Sequence, residues 1–238
     1  MLRKHDSVDE NVIFLTFDVV SLYTSIPHDL GIESIGYWIE KYSDVMCDRF
    51  TKEFILSSIH LILKNNYFKF ENDFYLQQSG TAMGTKMAPT YAILFMGFLE
   101  EKMYSITKEI YNDDISSKIT ENWIRYIDDC FIVWNTEFGS IDNFNAILNN
   151  LNPSIWFTME SDRQKVNFLD VTVYKEREKL ETKIYHKPTD SMSYVPFNST
   201  HPKHIVYNIP YNLARRVEML VSNPINKSIE LSDLKKFY

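Results

Sequence analysis

Glycine and cysteine are both scarce in this 238-residue chain, with six of the first and two of the second (Cys47 and Cys130). So little glycine, with only eight prolines, excludes collagen-like and low-complexity classes. Two cysteines are too few for a disulfide scaffold and suit a reducing compartment. Long apolar runs are missing as well: residues 93–99 and 131–134 fall far short of the roughly 18 residues needed to span a bilayer. Residues 1–10 (MLRKHDSVDE) lack an apolar core, so they read as neither signal peptide nor transit sequence. The expectation is an intracellular protein, nuclear or cytoplasmic, with no membrane partner. The Asn-x-Ser/Thr triplets at Asn198 and Asn226 then read as chance matches. Excess positive charge is also absent, since 25 Lys and Arg face 32 Asp and Glu for a net −7. Taken alone, that balance argues against a nucleic-acid binder and leans toward a small-molecule enzyme or an interaction module.

What is present is a core-forming composition, 45% hydrophobic and 15% aromatic, enough for one or two packed domains. No repeat or flexible linker interrupts it. Residues 11–18 (NVIFLTFD) form a nearly unbroken apolar run of strand length, the pattern of a strand buried on both faces. Ile26-Pro27 stops it, and residues 30–42 carry helical spacing at Ile32, Ile35, Ile39 and Tyr42. Thr51 can cap a second helix whose apolar positions are Phe54, Ile55, Ile59, Ile62 and Leu63. Residues 67–76 read as a hairpin turning at Glu71-Asn72-Asp73, and residues 87–104 as a helix opened by Ala88-Pro89. Residues 113–122 look polar and loop-like. Two apolar runs, 123–126 and 130–134, imply a tight hairpin. Residues 141–151 read as a helix, then 155–160, 166–174 and 182–186 as strands, and about 213–221 as a last helix. That order predicts an α+β fold in which a mainly antiparallel sheet is backed by helices.

The sharpest local signal is Tyr126-Ile127-Asp128-Asp129. Two adjacent aspartates between apolar arms (WIRYI before, CFIVW after) defy the usual placement of charge beside buried strand. Such neighbours repel and raise each other's pKa unless a cation neutralises them, and a hard ion such as Mg²⁺ takes carboxylate oxygens while keeping several waters. The chain supplies its own control in Asp113-Asp114, which sits among Asn, Ser and Lys and reads as a solvated turn or helix cap. Asp18 closes the first apolar run. Carboxylates from two strand ends are what a two-metal phosphoryl-transfer site requires, its ions about 3.5–4 Å apart. Tyr23 follows Asp18 by five residues and could wall a bound sugar, although a core role is the commoner one for tyrosine. Residues 78–89 (QSGTAMGTKMAP) form a glycine-containing loop before a helix, where backbone N–H groups can approach a ligand. The spacing matches neither a P-loop nor a dinucleotide fingerprint.

Together these segments resemble the palm of a reverse transcriptase, and most closely that of Penelope-like retroelements, whose nearest functional relative is telomerase. Residues 18–27 (DVVSLYTSIP) resemble the first metal-binding motif, 78–89 the template- and nucleotide-positioning motif, and 125–129 (RYIDD) the catalytic hairpin. Residues 167–171 (NFLDV) and 186–190 (HKPTD) are similar to segments that grip the primer. Residues 199–204 (STHPKH) with Arg215-Arg216 are similar to the start of the thumb. The resemblance runs from about residue 11 to about residue 221. It implies an RRM-like palm over 1–190 and the start of a small, mainly helical thumb over 191–238.

The resemblance also implies an RNA-directed DNA polymerase, with RNA template, DNA primer and dNTPs as partners. Asp18, Asp128 and Asp129 would be catalytic and hold two Mg²⁺ ions, Mn²⁺ serving as a substitute. Val19, Tyr23, Gln78 and Gly80 would contact the nucleotide, with Tyr23 as a steric gate against the 2′-hydroxyl. Phe168, Leu169 and Asp170 would support the primer end. Two features depart from the family pattern: a basic fingers region expected before Asp18 and a GIY-YIG endonuclease after the thumb. The expectation is therefore a fragment largely lacking fingers. For the acid that protonates pyrophosphate, Arg163 and Lys165 both remain open. The alternative is a non-catalytic or domesticated remnant that binds nucleic acid or a partner protein. A metal-dependent nuclease is a third reading, but it leaves the 80–89 loop without a task.

Overall fold

The computed structural model describes residues 11–47, 49–191, 193–196 and 198–235. Mixed α and β elements divide into two compact units, one of Phe17–Ile132 with Glu137–Met159, the other of Met1–Thr16, Val133–Thr136 and Glu160–Tyr238.

The first strand, β1 (Val12–Val19), is the apolar run expected from the sequence. It is followed by a single helical turn, α1 (Leu22–Ser25), and by α2 (His28–Lys41), which starts directly after Pro27. In α3 (Lys52–Lys64) the Thr51 hydroxyl accepts the Phe54 N–H at 3.2 Å, a regular N-cap. The exposed hairpin β2 (Tyr67–Phe70) and β3 (Asp73–Leu76) pairs antiparallel with Phe68 opposite Tyr75. The long helix α4 (Ala88–Ile110) buries Tyr91, Phe95, Met96, Leu99 and Met103 along one face, the i, i+4 and i+3 spacing of a core stripe. It runs six residues past the end expected for it.

Residues 113–122 correct the sequence reading. They form a helix, α5 (Asp113–Asn122), not a loop. Asn112 caps it by accepting the Ile115 N–H at 2.8 Å, Asp113 and Asp114 sit in its first turn, and Lys118 bonds Asp114 one turn on. Ile119 is fully buried. Two inward positions and a cap outweigh a polar composition. The Asp113-Asp114 pair thus sits at a helix N-terminus, as its polar context suggested.

Strands β4 (Ile124–Tyr126) and β5 (Asp129–Asn135) form the tight hairpin. Ser140 caps α6 (Ile141–Asn150), and β6 (Phe157–Asp162) follows. The resulting four-stranded sheet has the order β4-β5-β1-β6. Beneath it Phe17, Trp123 and Phe144 form an aromatic triad with centroids 5.7–6.0 Å apart.

The stretch read as one strand over 166–174 is two, β7 (Lys165–Phe168) and β8 (Val171–Glu176), folded on each other at Leu169-Asp170. With β9 (Lys179–Ile184) they make an antiparallel three-stranded sheet. Helix α7 (Lys203–Leu220) starts ten residues before the helix expected near 213. A further helix, α8 (Pro224–Leu234), was not anticipated, although Asn223-Pro224 is a regular helix opening and Asn223 does cap it. Ile184, Val217 and Val221 form a small core with Leu231 and Leu234 packed against it.

Among the described residues, all four two-residue hairpin turns put their first residue in the left-handed region: Glu71 (φ 54°), Ile127 (φ 56°), Leu169 (φ 53°) and Arg177 (φ 58°). None is glycine. Each therefore carries strain of about 1–2 kcal/mol that glycine would avoid, and for the branched Ile127 the conformation is an outlier.

Candidate active site

Asp18 is the penultimate residue of β1 and is exposed, whereas Val19 beside it is buried. Period-two alternation produces this, turning one carboxylate outward at the end of an otherwise apolar strand. The strand end is pinned by bonds from the Val20 N–H to the Trp156 carbonyl (2.9 Å) and from the Thr158 hydroxyl to the Asp18 carbonyl (3.3 Å). Because β5 neighbours β1, the hairpin turn comes up beside it. Burial, and secondarily the negative charge of Asp128, push the Asp18 carboxyl above its ordinary range. Asp18 and the Asp128 turn, 110 positions apart in the chain, thus come to neighbouring strand ends.

Asp128 occupies the second position of the turn and Asp129 pairs with Tyr126 as the first residue of β5. The turn is braced from behind. Glu100 on α4 receives both Arg125 Nε (2.7 Å) and Nη2 (2.9 Å), and also the Trp123 indole N–H (2.7 Å). Arg125 reaches on through Nη1 to the Ile127 carbonyl at 3.2 Å. A bidentate, largely buried ion pair therefore grips the strained residue directly before Asp128. Glu100 escaped the sequence reading because an acidic residue on a helix of mixed charge carries no local mark of burial. Cys130 is buried, which pushes its thiol well up, and it stays protonated.

The residues expected to contact a nucleotide fall on the same unit. Tyr23 is half-buried in α1, and Ser21 before it adopts φ 52°. Gly80 is buried at φ 71°, where an added Cβ would meet the Thr24 Cα at 2.5 Å and the Tyr23 carbonyl oxygen at 2.6 Å. Only glycine fits that approach. Gln78 is exposed, and the Thr81 N–H donates to the Tyr23 carbonyl at 2.6 Å. The loop and the Tyr23 turn, 57 residues apart, thus share a backbone seam.

The other unit carries Phe168, Leu169 and Asp170 at the β7–β8 turn, with Phe168 buried and Leu169 and Asp170 exposed. Asp170 is paired with Arg216 of α7 at 3.1 Å. Arg163 and Lys165 flank the β6–β7 turn, where the Asp162 carboxylate accepts the Gln164 and Lys165 N–H groups and is held below its ordinary range by them.

Asp18 and Asp128 offer hard oxygen donors of the type Mg²⁺ takes. Among the described residues, however, no group of three or more His, Cys, Asp or Glu is gathered so as to hold an ion. Asp18, Asp128 and Asp129 suit the metal in donor type alone, with water and phosphate oxygens required to complete a coordination shell.

The fold is similar to that of solved telomerase chains. Telomerase from Candida albicans, in complex with a TWJ fragment of telomeric RNA, superposes on 99% of this chain with a TM-score of 0.67 and 12% identity. Apo telomerase from Candida tropicalis, truncated from the C-terminal domain, superposes on 72% with a TM-score of 0.54 and 14% identity. A second structure of apo telomerase from Candida tropicalis gives 69%, 0.52 and 12%. This chain spans only 41%, 35% and 31% of those proteins. The animal helix-turn-helix domain family matches residues 193–237, the stretch containing α7 and α8. No curated protein matches. Among the described residues no helix is long and apolar enough to cross a membrane.

Proposed function

We propose that the chain is the palm and the start of the thumb of an RNA-directed DNA polymerase of the Penelope-like type, extending a DNA primer on an RNA template with dNTPs. The observation that carries this reading is the strand order β4-β5-β1, which brings the Asp128 turn to the end of β1 where Asp18 lies. In the reaction the primer 3′-oxygen forms a bond to the α-phosphorus and the bond to pyrophosphate breaks. Asp18, Asp128 and Asp129 would hold Mg²⁺, which supplies charge neutralisation for the triphosphate and the attacking oxygen. Tyr23 would bear on the sugar, Val19 and the Gly80 backbone would line the nucleotide, and Gln78 would face the template. The turn at Phe168-Leu169-Asp170 would meet the primer, and the basic residues of α7 its backbone.

The net charge of −7 fits a palm, which concentrates carboxylates at its metals. The experiment is primer extension on an RNA template. Asp128→Asn should reduce extension at least about a thousandfold, as removal of a central electrostatic group does, while Asp113→Asn at the α5 N-terminus leaves it near wild type. Equal losses at both positions would remove the assignment.

A further inference from the structure

We propose that His28 is a positioning residue that clamps the Gly80 loop onto the Tyr23 turn, so that sugar selection by Tyr23 depends on it. The clamp stands on geometry alone, and the consequence for sugar selection rests on the polymerase reading. His28 is the first residue of α2 and is 7% exposed. Its Nε2 lies 2.7 Å from the carbonyl oxygen of Gly80, 52 residues away. A carbonyl only accepts, so Nε2 carries the proton and donates. Nδ1 is then a buried ring nitrogen with no partner among the described residues. A buried ring nitrogen without a partner costs stability that an apolar side chain of the same size would not. What that nitrogen's cost offsets is the single donor aimed at Gly80.

The residue it holds is the one with least freedom. Gly80 is at φ 71°, where an added Cβ would fall 2.5 Å from the Thr24 Cα, and the next N–H, of Thr81, binds the Tyr23 carbonyl. Thr24 in turn bonds the Ser21 carbonyl through both its N–H and its hydroxyl at 3.0 Å. Further along the loop, the Thr85 N–H and hydroxyl both go to the nearby Ala82 carbonyl. Among the described residues, the bonds tying residues 79–87 to distant chain are therefore those at Gly80 and Thr81, apart from the Gln77 amide that reaches Ser79. His28, Gly80 and the Tyr23 carbonyl form one rigid block, and the angle at which the Tyr23 ring is presented is set by it.

The test uses the full chain with His28→Phe, which keeps a ring and removes the donor, and His28→Gln, which returns an amide donor at similar reach. Hydrogen exchange at the Thr81 amide should run roughly tenfold faster in the Phe variant and return toward wild type in the Gln variant. Equal Thr81 protection in wild type and the Phe variant overturns the clamp. Ring ¹⁵N shifts of wild-type His28 give a second measure that needs no variant: the Nε2–H tautomer is expected, and the Nδ1–H tautomer overturns the proposal. In primer extension, the preference for dNTP over rNTP should fall about tenfold in the Phe variant, through KM, and recover in the Gln variant. An equal loss for both sugars makes His28 merely structural. Absence of extension by the wild-type full-length protein defeats the polymerase reading, and the clamp is still decided by exchange and tautomer.

Discussion

Asp128 lies close enough to Asp18 for its negative charge to raise the Asp18 carboxyl, on top of the rise that partial burial alone causes. The first prediction follows from that pair. Asp128→Asn removes one of the two causes, so NMR titration should find the Asp18 pKa lowered toward its ordinary value of 3.8. The linkage has a definite sign. A carboxyl raised in the folded state holds its proton more tightly there than in the unfolded chain, so it costs stability as pH rises past 3.8 and costs nothing below. Asp18→Asn should therefore raise Tm at about pH 7 and leave it unchanged at about pH 3. Added Mg²⁺ should raise the wild-type Tm at neutral pH and do less for either variant.

Glu100 carries the hairpin from behind. Glu100→Ala leaves the Arg125 guanidinium without its bidentate partner and Trp123 without an acceptor, which should cost about 2–4 kcal/mol in urea unfolding. Removing both partners by Glu100→Leu with Arg125→Met should cost less than the sum of the single changes. Additive losses would mean that the two side chains do not act as one brace.

Gly80 tests the seam between loop and turn. Gly80→Ala puts a methyl into the Thr24 backbone at φ 71°, with a cost of about 2–4 kcal/mol from strain and overlap. Gly84 has nothing within 4 Å of an added Cβ, so Gly84→Ala should leave Tm nearly unchanged. Thermal melts of the two variants side by side make the comparison.

Tyr23 tests the proposed gate. Tyr23→Ala should lower discrimination against ribonucleotides on the order of 10–100-fold, with dNTP turnover much less affected. Steady-state extension with each sugar measures both quantities, and unchanged discrimination would assign the ring to the core instead.

Much of the candidate site was legible in the chain because chemistry that offends local rules is visible locally. An aspartate ending the run NVIFLTF and an Asp-Asp between apolar arms stand out without any structure, and the Thr51 cap and the β4–β5 hairpin follow from neighbouring residues. The α5 and β7–β8 misreadings have a different origin. Helix α5 depends on Ile119 finding a core to enter, and the Leu169-Asp170 turn uses a leucine at φ 53° where glycine or asparagine would have announced it. The chain's shortage of glycine, uninformative as a composition figure, is the reason these turns are silent.

The sequence by itself determined the candidate acids, the tyrosine and the glycine loop, since each depends on residue type and near neighbours. Only the tertiary structure decided that Asp18 and the Asp128 turn come to neighbouring strand ends, that Glu100 grips Arg125, and that His28 reaches Gly80. Those relationships span 25 to 110 positions. Strand order and helix packing create them, and no local propensity encodes which distant residue will arrive.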